Sequence, residues 1–212
     1  MKISLRLVVA VAGLSVIGSQ LHAQGIYLGL RGGGAFPTGD FTQAFAGSTP
    51  VLNAAKSGFG YGLDAGLQLG PAGVYAGFDH INFDCQSNTC NSDGKYKLQG
   101  VTAGVKLLAP GMGIARPWVK GGVTFNELEG GYGSGQSNQL KTDRTPGYEV
   151  GVGLDIGFLG LLSLTPQARY IGQNFKYKVP GVNTSGASPT QGVSYFTFDL
   201  GLSVHNPLGG MH

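Results

Sequence analysis

The chain has 212 residues, of which 39 are glycine, 42% are hydrophobic and only 12% are charged, with a formal net charge of +3. That balance excludes a disordered polypeptide and does not fit an ordinary soluble α/β enzyme; one domain is expected. Lys and Arg are scattered without clusters, so a nucleic-acid partner is not expected.

The chain opens Met1, Lys2, Ile3, Ser4, Leu5, Arg6, continues with an apolar run over 7–18, and then turns polar through Ser19, Gln20, His22 and Gln24. Two basic residues followed by about a dozen apolar ones read as a secretory signal peptide over 1–23, too short for a membrane helix. Cleavage is expected after Ala23, although Leu21 is larger than the small residue preferred two positions earlier. Residues 24–212 are then the mature domain.

From there the dominant signal is alternation. Strands are expected near 25–36, 57–70, 72–84, 95–109, 113–128, 146–159, 161–178 and 193–205. The clearest sets Tyr148, Val150, Val152, Leu154, Ile156 and Phe158 against Glu149, Gly151, Gly153, Asp155 and Gly157. The first sets Ile26, Leu28 and Leu30 against Tyr27, Gly29, Arg31 and Gly33, and the last sets Phe196, Phe198, Leu200, Leu202 and Val204 against Thr197, Asp199, Gly201 and Ser203. One face suits hydrocarbon and the other a cramped polar interior. Two strands break the pattern. In the third, Ile81 and Phe83 share the parity of Asp79, so the phase slips near His80, and either a bulge there or emergence of the strand above the membrane is expected. In the fifth, Pro117 lacks a ladder donor and an irregularity is expected there.

The connections alternate in length. Short turns lie around Gly70-Pro71, Ala109-Pro110 and Leu159-Gly160; long polar ones occupy about 37–56, 84–94, 129–145 and 179–192. No segment after the signal peptide is long and apolar enough for a membrane helix, and open strand edges do not survive in lipid. The expected fold is therefore all-β, an eight-stranded antiparallel up-and-down transmembrane β-barrel with short turns at one end and long loops at the other.

On the inward parity fall the basic residues Arg31, Lys106, Arg116, Lys120 and Arg169 and the acidic residues Asp64, Glu149, Asp155, Asp199 and Asp79. The two signs nearly balance, which implies an ion-pair network closing the lumen. An eight-stranded barrel is only wide enough for its own side chains, so a general porin is not expected. The alternative use of these charges is a narrow ion-conducting channel. Aromatic residues collect toward the loop ends (Phe36, Phe59, Tyr61, Phe83, Tyr96, Phe125, Tyr148, Tyr170, Phe175, Tyr177, Tyr195 and Phe196) and are expected to form an interfacial girdle.

Cys85 and Cys90 enclose four residues in a polar loop of an exported chain, which favours a disulfide; two thiols without nearby His fall short of a metal site. No cofactor is expected. Ser203 and His205 share a face but at the turn end, and His80 lacks a serine partner on its strand, so an enzyme is not expected.

The segments Gly25-Ile26-Tyr27-Leu28-Gly29-Leu30-Arg31-Gly32-Gly33-Gly34, Arg116-Pro117-Trp118-Val119-Lys120-Gly121-Gly122-Val123 and Phe196-Thr197-Phe198-Asp199-Leu200-Gly201-Leu202 resemble the OmpA/OmpX-type outer-membrane β-barrel superfamily. The resemblance covers everything after the signal peptide. It implies an integral protein of the outer membrane of a Gram-negative-type bacterium, in contact with outer-membrane lipid and the assembly machinery, with roles from envelope stability to adhesion. Such barrels commonly finish on an aromatic residue, whereas this chain ends Asn206-Pro207-Leu208-Gly209-Gly210-Met211-His212. The expected function is a structural or surface-interaction role through the long loops, chiefly 38–57 and 131–136, toward an extracellular ligand or host surface. The competing reading is an exported soluble eight-stranded barrel around an apolar ligand, which would need Glu149, Asp155 and Arg169 on the outside.

Overall fold

A computed structural model of the chain describes residues 24–42, 55–85, 95–110, 114–131, 139–176 and 190–207. The strands are β1 Gln24–Thr38, β2 Ala55–Leu69, β3 Ala72–Cys85, β4 Lys95–Leu108, β5 Ala115–Gly131, β6 Gln139–Lys141, β7 Thr145–Leu159, β8 Leu162–Lys176 and β9 Thr190–Pro207, with a 3-10 turn at Gly39–Thr42. The expected signal peptide lies outside the described residues.

Eight long strands pair antiparallel around a closed wall, β4 meeting β5 and β9 returning to β1, while the short β6 pairs with β5 at the loop end. Closure leaves no long strand with an open edge, which is the condition for putting a sheet in lipid. The two-residue turns after β2 and β7 each begin on a glycine with positive φ, Gly70 at 66° and Gly160 at 58°, a conformation that side chains resist.

The stagger of the wall follows from the register. A path along paired residues runs Gly25, Gln68, Gly73, Lys106, Lys120, Gly151, Arg169, Thr197 and returns to β1 at Ala35, ten residues above its start. Eight strands with that offset tilt by about 40° to the axis. The tilt carries residues far apart in sequence to one height inside the barrel.

Outward, the wall exposes large apolar side chains from Ile26 to Phe36 on β1 and from Tyr148 to Phe158 on β7, with Phe198 and Leu200 on β9 more than half exposed. Ten residues of tilted strand give a belt about 25 Å high, the height of a bilayer's hydrocarbon. Tyr170 packs on Tyr148 and Phe196 at centroid distances of 6.1 and 4.9 Å, and Phe36 meets Phe198 at 5.8 Å, a ring of aromatics along the belt's loop side.

Neither a bulge near His80 nor an irregularity at Pro117 is present. Pairing of β3 with β4 runs without a break from Ala72↔Leu107 to Asp84↔Lys95, so the strand does not bulge at His80. Pro117 is passed without a shift: β5 stays in register with β7, and its pairing with β4 ends at Leu108↔Trp118, so the missing donor falls at the end of that ladder. The ladder opens instead opposite Pro166, between Gly153↔Gln167 and Ile156↔Leu164.

Candidate functional site: a lumen closed in two tiers

The inward positions at bilayer depth hold the charges. Arg169 on β8 is their hub. Its Nε donates to Asp199 Oδ2 (2.9 Å) and Thr197 Oγ1 (3.1 Å), Nη1 to Glu149 Oε2 (2.9 Å) and Asp79 Oδ2 (3.2 Å), and Nη2 to Asp79 Oδ1 (3.0 Å). Arg31 Nη2 donates to the same Asp79 oxygen at 2.7 Å, and its Nη1 pairs with Asp64. Lys120 lies 3.1 Å from Glu149 Oε1, which also accepts the Tyr75 hydroxyl at 2.9 Å. All are buried or nearly so; the Arg169 and Glu149 side chains are 2% and 1% exposed.

Nearer the turn end a second group forms around Asp155. One of its oxygens accepts Lys106 at 2.7 Å, the other Trp118 Nε1 at 3.0 Å and Thr165 Oγ1 at 3.2 Å. The Trp118 ring joins the two groups, with Lys106 Nζ 4.6 Å and Lys120 Nζ 5.8 Å from its centroid. Room for these side chains comes from bare backbone opposite them. A Cβ on Gly66 would sit 2.3 Å from the Tyr27 ring, and one on Gly153 2.4 Å from Trp118.

Of the residues expected in the network, Arg31, Asp64, Lys106, Lys120, Glu149, Asp155, Arg169 and Asp199 come together, with Asp79 as a shared acceptor of two arginines. Arg116 does not join. It is exposed at the turn-end mouth, and although it sits across the ladder from Asp155, that carboxylate is already filled by Lys106, Trp118 and Thr165.

Above the ion pairs the lumen changes character. A thin polar layer, with Asn126 donating to Gln173 at 2.8 Å and Gln173 to Thr145, gives way to Ile81, Leu98, Leu128, Ile171, Phe175, Val193, Phe83, Tyr96 and Tyr195, all buried, with Phe41 of the 3-10 turn pressed on Phe83 (5.2 Å) and Tyr96 (5.9 Å). Four residues expected in the girdle, Phe83, Tyr96, Phe175 and Tyr195, thus point inward and form an apolar plug; Tyr177 lies outside the described residues. At the same height the outer wall is mixed, with polar groups standing among the exposed rings of Phe36, Phe59 and Phe125. His80 stacks on Tyr61 at 4.9 Å, Gln99 donates to Glu127 at 2.5 Å, and Lys97 and Arg144 lie 4.0 and 3.7 Å from Glu129 and Glu127. The faces change along one strand: polar inside and apolar outside in the belt, apolar inside and mixed outside above it. Ile81 and Phe83 keep their parity because the solvent has changed sides.

Cys85 ends β3, and Cys90 lies outside the described residues. Among the described residues no group of three or more His, Cys, Asp or Glu is arranged to hold a metal. Ser203 and His205 are 3.0 Å apart, but Ser203 also meets Thr165 (3.2 Å), which leads to Asp155. The acid therefore lies on the serine's side of the pair, the reverse of a nucleophilic triad.

No family model and no curated protein matches the chain. Among solved structures it is similar to Neisserial surface protein A, with 13% identity and a TM-score of 0.58 over 84% of this chain and 96% of that one. A major outer membrane protein from Thermus thermophilus superposes with 16% identity and a TM-score of 0.49, over 87% of this chain and all of that one. Ail of Yersinia pestis does so with 15% and 0.49 over 88% and 100%. At such identities the likeness is one of fold. The match to Neisserial surface protein A, taken with the closed wall, the stagger of ten and the apolar belt, makes the chain an eight-stranded β-barrel of the outer-membrane type.

Proposed function

We propose that the protein works at the outer surface of the outer membrane, in a structural or adhesion-like role carried by its four long loops. The observation that supports this is the closure of the lumen: an ion-pair network fills the belt and an apolar plug caps it, which leaves the ends of the barrel as its working surfaces. On this reading the short turns face the periplasm, the loops outside the described residues (43–54, 86–94, 132–138 and 177–189) face outward, a Cys85–Cys90 disulfide pins the second of them, and the chain is not an enzyme. A signal peptide ending at Ala23 and the outer-membrane assembly machinery deliver it.

The test has two arms. Purified protein in planar bilayers is expected to show no sustained conductance; a steady conductance that changes on replacing Arg116 or Asp155 would establish the channel reading instead. On whole cells, protease is expected to cut within the four loops, and shortening them to tight turns, with heat-modifiable gel mobility retained, is expected to abolish adherence or raise detergent sensitivity. Unchanged adherence and unchanged envelope resistance would defeat the proposal.

A further inference from the structure

The turn end of the barrel holds a cavity of ≈ 250 Å³ that no part of the proposed surface role uses. Its floor is the Lys106–Asp155 pair, and its sides include Arg116, Ser163, Gln68, His205, Leu108 and Ile114. Three features make it more than a dent. The lumen's other cations, Arg31, Lys106, Lys120 and Arg169, each contact a carboxylate, whereas among the described residues none pairs with Arg116. Its cross-strand neighbour Asp155 has both oxygens taken, so no rotamer change of Arg116 alone recruits that acid without displacing Lys106, Trp118 or Thr165. The ring of His205, stacked on Tyr27 at 5.8 Å and 29°, gives the cavity a flat wall, and its other lining, from Leu108 and Ile114, is apolar.

A guanidinium and a serine hydroxyl lining one half-enclosed space with an apolar side are the chemistry that takes a carboxylate bearing a short hydrocarbon tail; the Gln68 amide on the same wall already donates to Gly70 O (2.8 Å). The forked donors match the two oxygens, and the tail covers the aliphatic wall. We infer that this mouth is a binding site for a small organic monocarboxylate, held by Arg116 with Ser163, its tail lying against Leu108 and the exposed side chain of Ile114. Inorganic phosphate would satisfy the guanidinium and leave the apolar wall wet. The inference rests on the fold and does not need the loops to act as proposed, so either can fail without the other.

The chain's single tryptophan, Trp118, hydrogen-bonds the Asp155 of the floor and reports on the site. The test titrates the full-length protein in detergent with sodium butyrate, sodium acetate, butyramide and inorganic phosphate, following Trp118 fluorescence and binding heat. Butyrate is expected to bind saturably and more tightly than acetate or phosphate, and neutral butyramide not at all. Arg116→Gln is expected to weaken butyrate by about tenfold or more, the effect of losing one charge-assisted hydrogen bond, with Arg116→Lys restoring part of it. Leu108→Ser is expected to weaken butyrate more than acetate, and gel mobility shows that each variant is folded. Absence of saturable butyrate binding, unchanged affinity in Arg116→Gln, or phosphate binding as tightly as butyrate would overturn the assignment.

Discussion

The belt and the cap of this barrel are built from the same eight strands in opposite senses. In the belt the sheet faces lipid, so the wall's outside is Val, Leu and Phe and its inside must hold everything polar; the cost of burying charge is offset only because Arg169 meets Asp79, Glu149 and Asp199 at once. Above the belt the outside carries Gln99, Glu127 and Lys97, and the inside becomes a small conventional core of Phe41, Phe83, Tyr195 and their aliphatic neighbours. What decides which residues face inward is therefore not the strand but the medium outside it.

If the belt's interior is a charge lattice, its weakest point is its hub. Arg169→Ala leaves three buried carboxylates facing one another and is expected to cost about 3–5 kcal/mol or to prevent folding, read from urea unfolding in vesicles and the loss of heat-modifiable mobility. The cap answers to a different rule. Phe83→Ala removes a fully buried ring and is expected to cost about 3 kcal/mol through the cavity it leaves, while the Trp118 emission of the belt stays unchanged; a shifted emission would show the two tiers to be one. Trp118→Phe keeps an aromatic face but deletes the hydrogen bond to Asp155 along with part of the ring, and a loss of about 1–2 kcal/mol is expected. Smallest is Lys97→Ala on the outer wall, where the partner is 4.0 Å away and only partly buried; a change within about 0.5 kcal/mol is expected, and salt should not alter it further.

The belt was legible in the chain itself because alternation is a local property: Val150, Val152 and Leu154 announce a lipid face whatever they are paired with. The identity of most lumen charges followed from the same parity. Their partners did not, because Arg31 reaches Asp79 and Arg169 reaches Asp79 only through the ten-residue stagger, which belongs to the closed wall and to no single strand. Arg116 shows the limit on the other side: inward parity is shared by residues deep in the lumen and at its mouth, and depth decides which of them find a partner. Phe83 and Tyr195 suit a girdle by position, since aromatic rings at strand ends favour a headgroup layer. Their parity with Asp79 and Asp199 points inward, and of the two explanations that parity allows at His80, a bulge or emergence above the membrane, the unbroken ladder leaves the second. The opening at Pro166 has no signature in the alternation, because a proline between Thr165 and Gln167 leaves the pattern intact while removing a ladder donor.

The inversion of faces is tested most directly by a spin-label scan along β3 in lipid vesicles, reading oxygen against a water-soluble relaxation agent at each position. Labels at Val74, Ala76 and Phe78 should meet oxygen from the acyl chains, those at Asn82 and Asp84 should meet the aqueous agent, and those at Ile81 and Phe83 should meet neither. Lipid contact at Ile81 or Phe83, or at Asn82, would mean that the strand keeps one face to the bilayer throughout, and the two-tier account would be wrong.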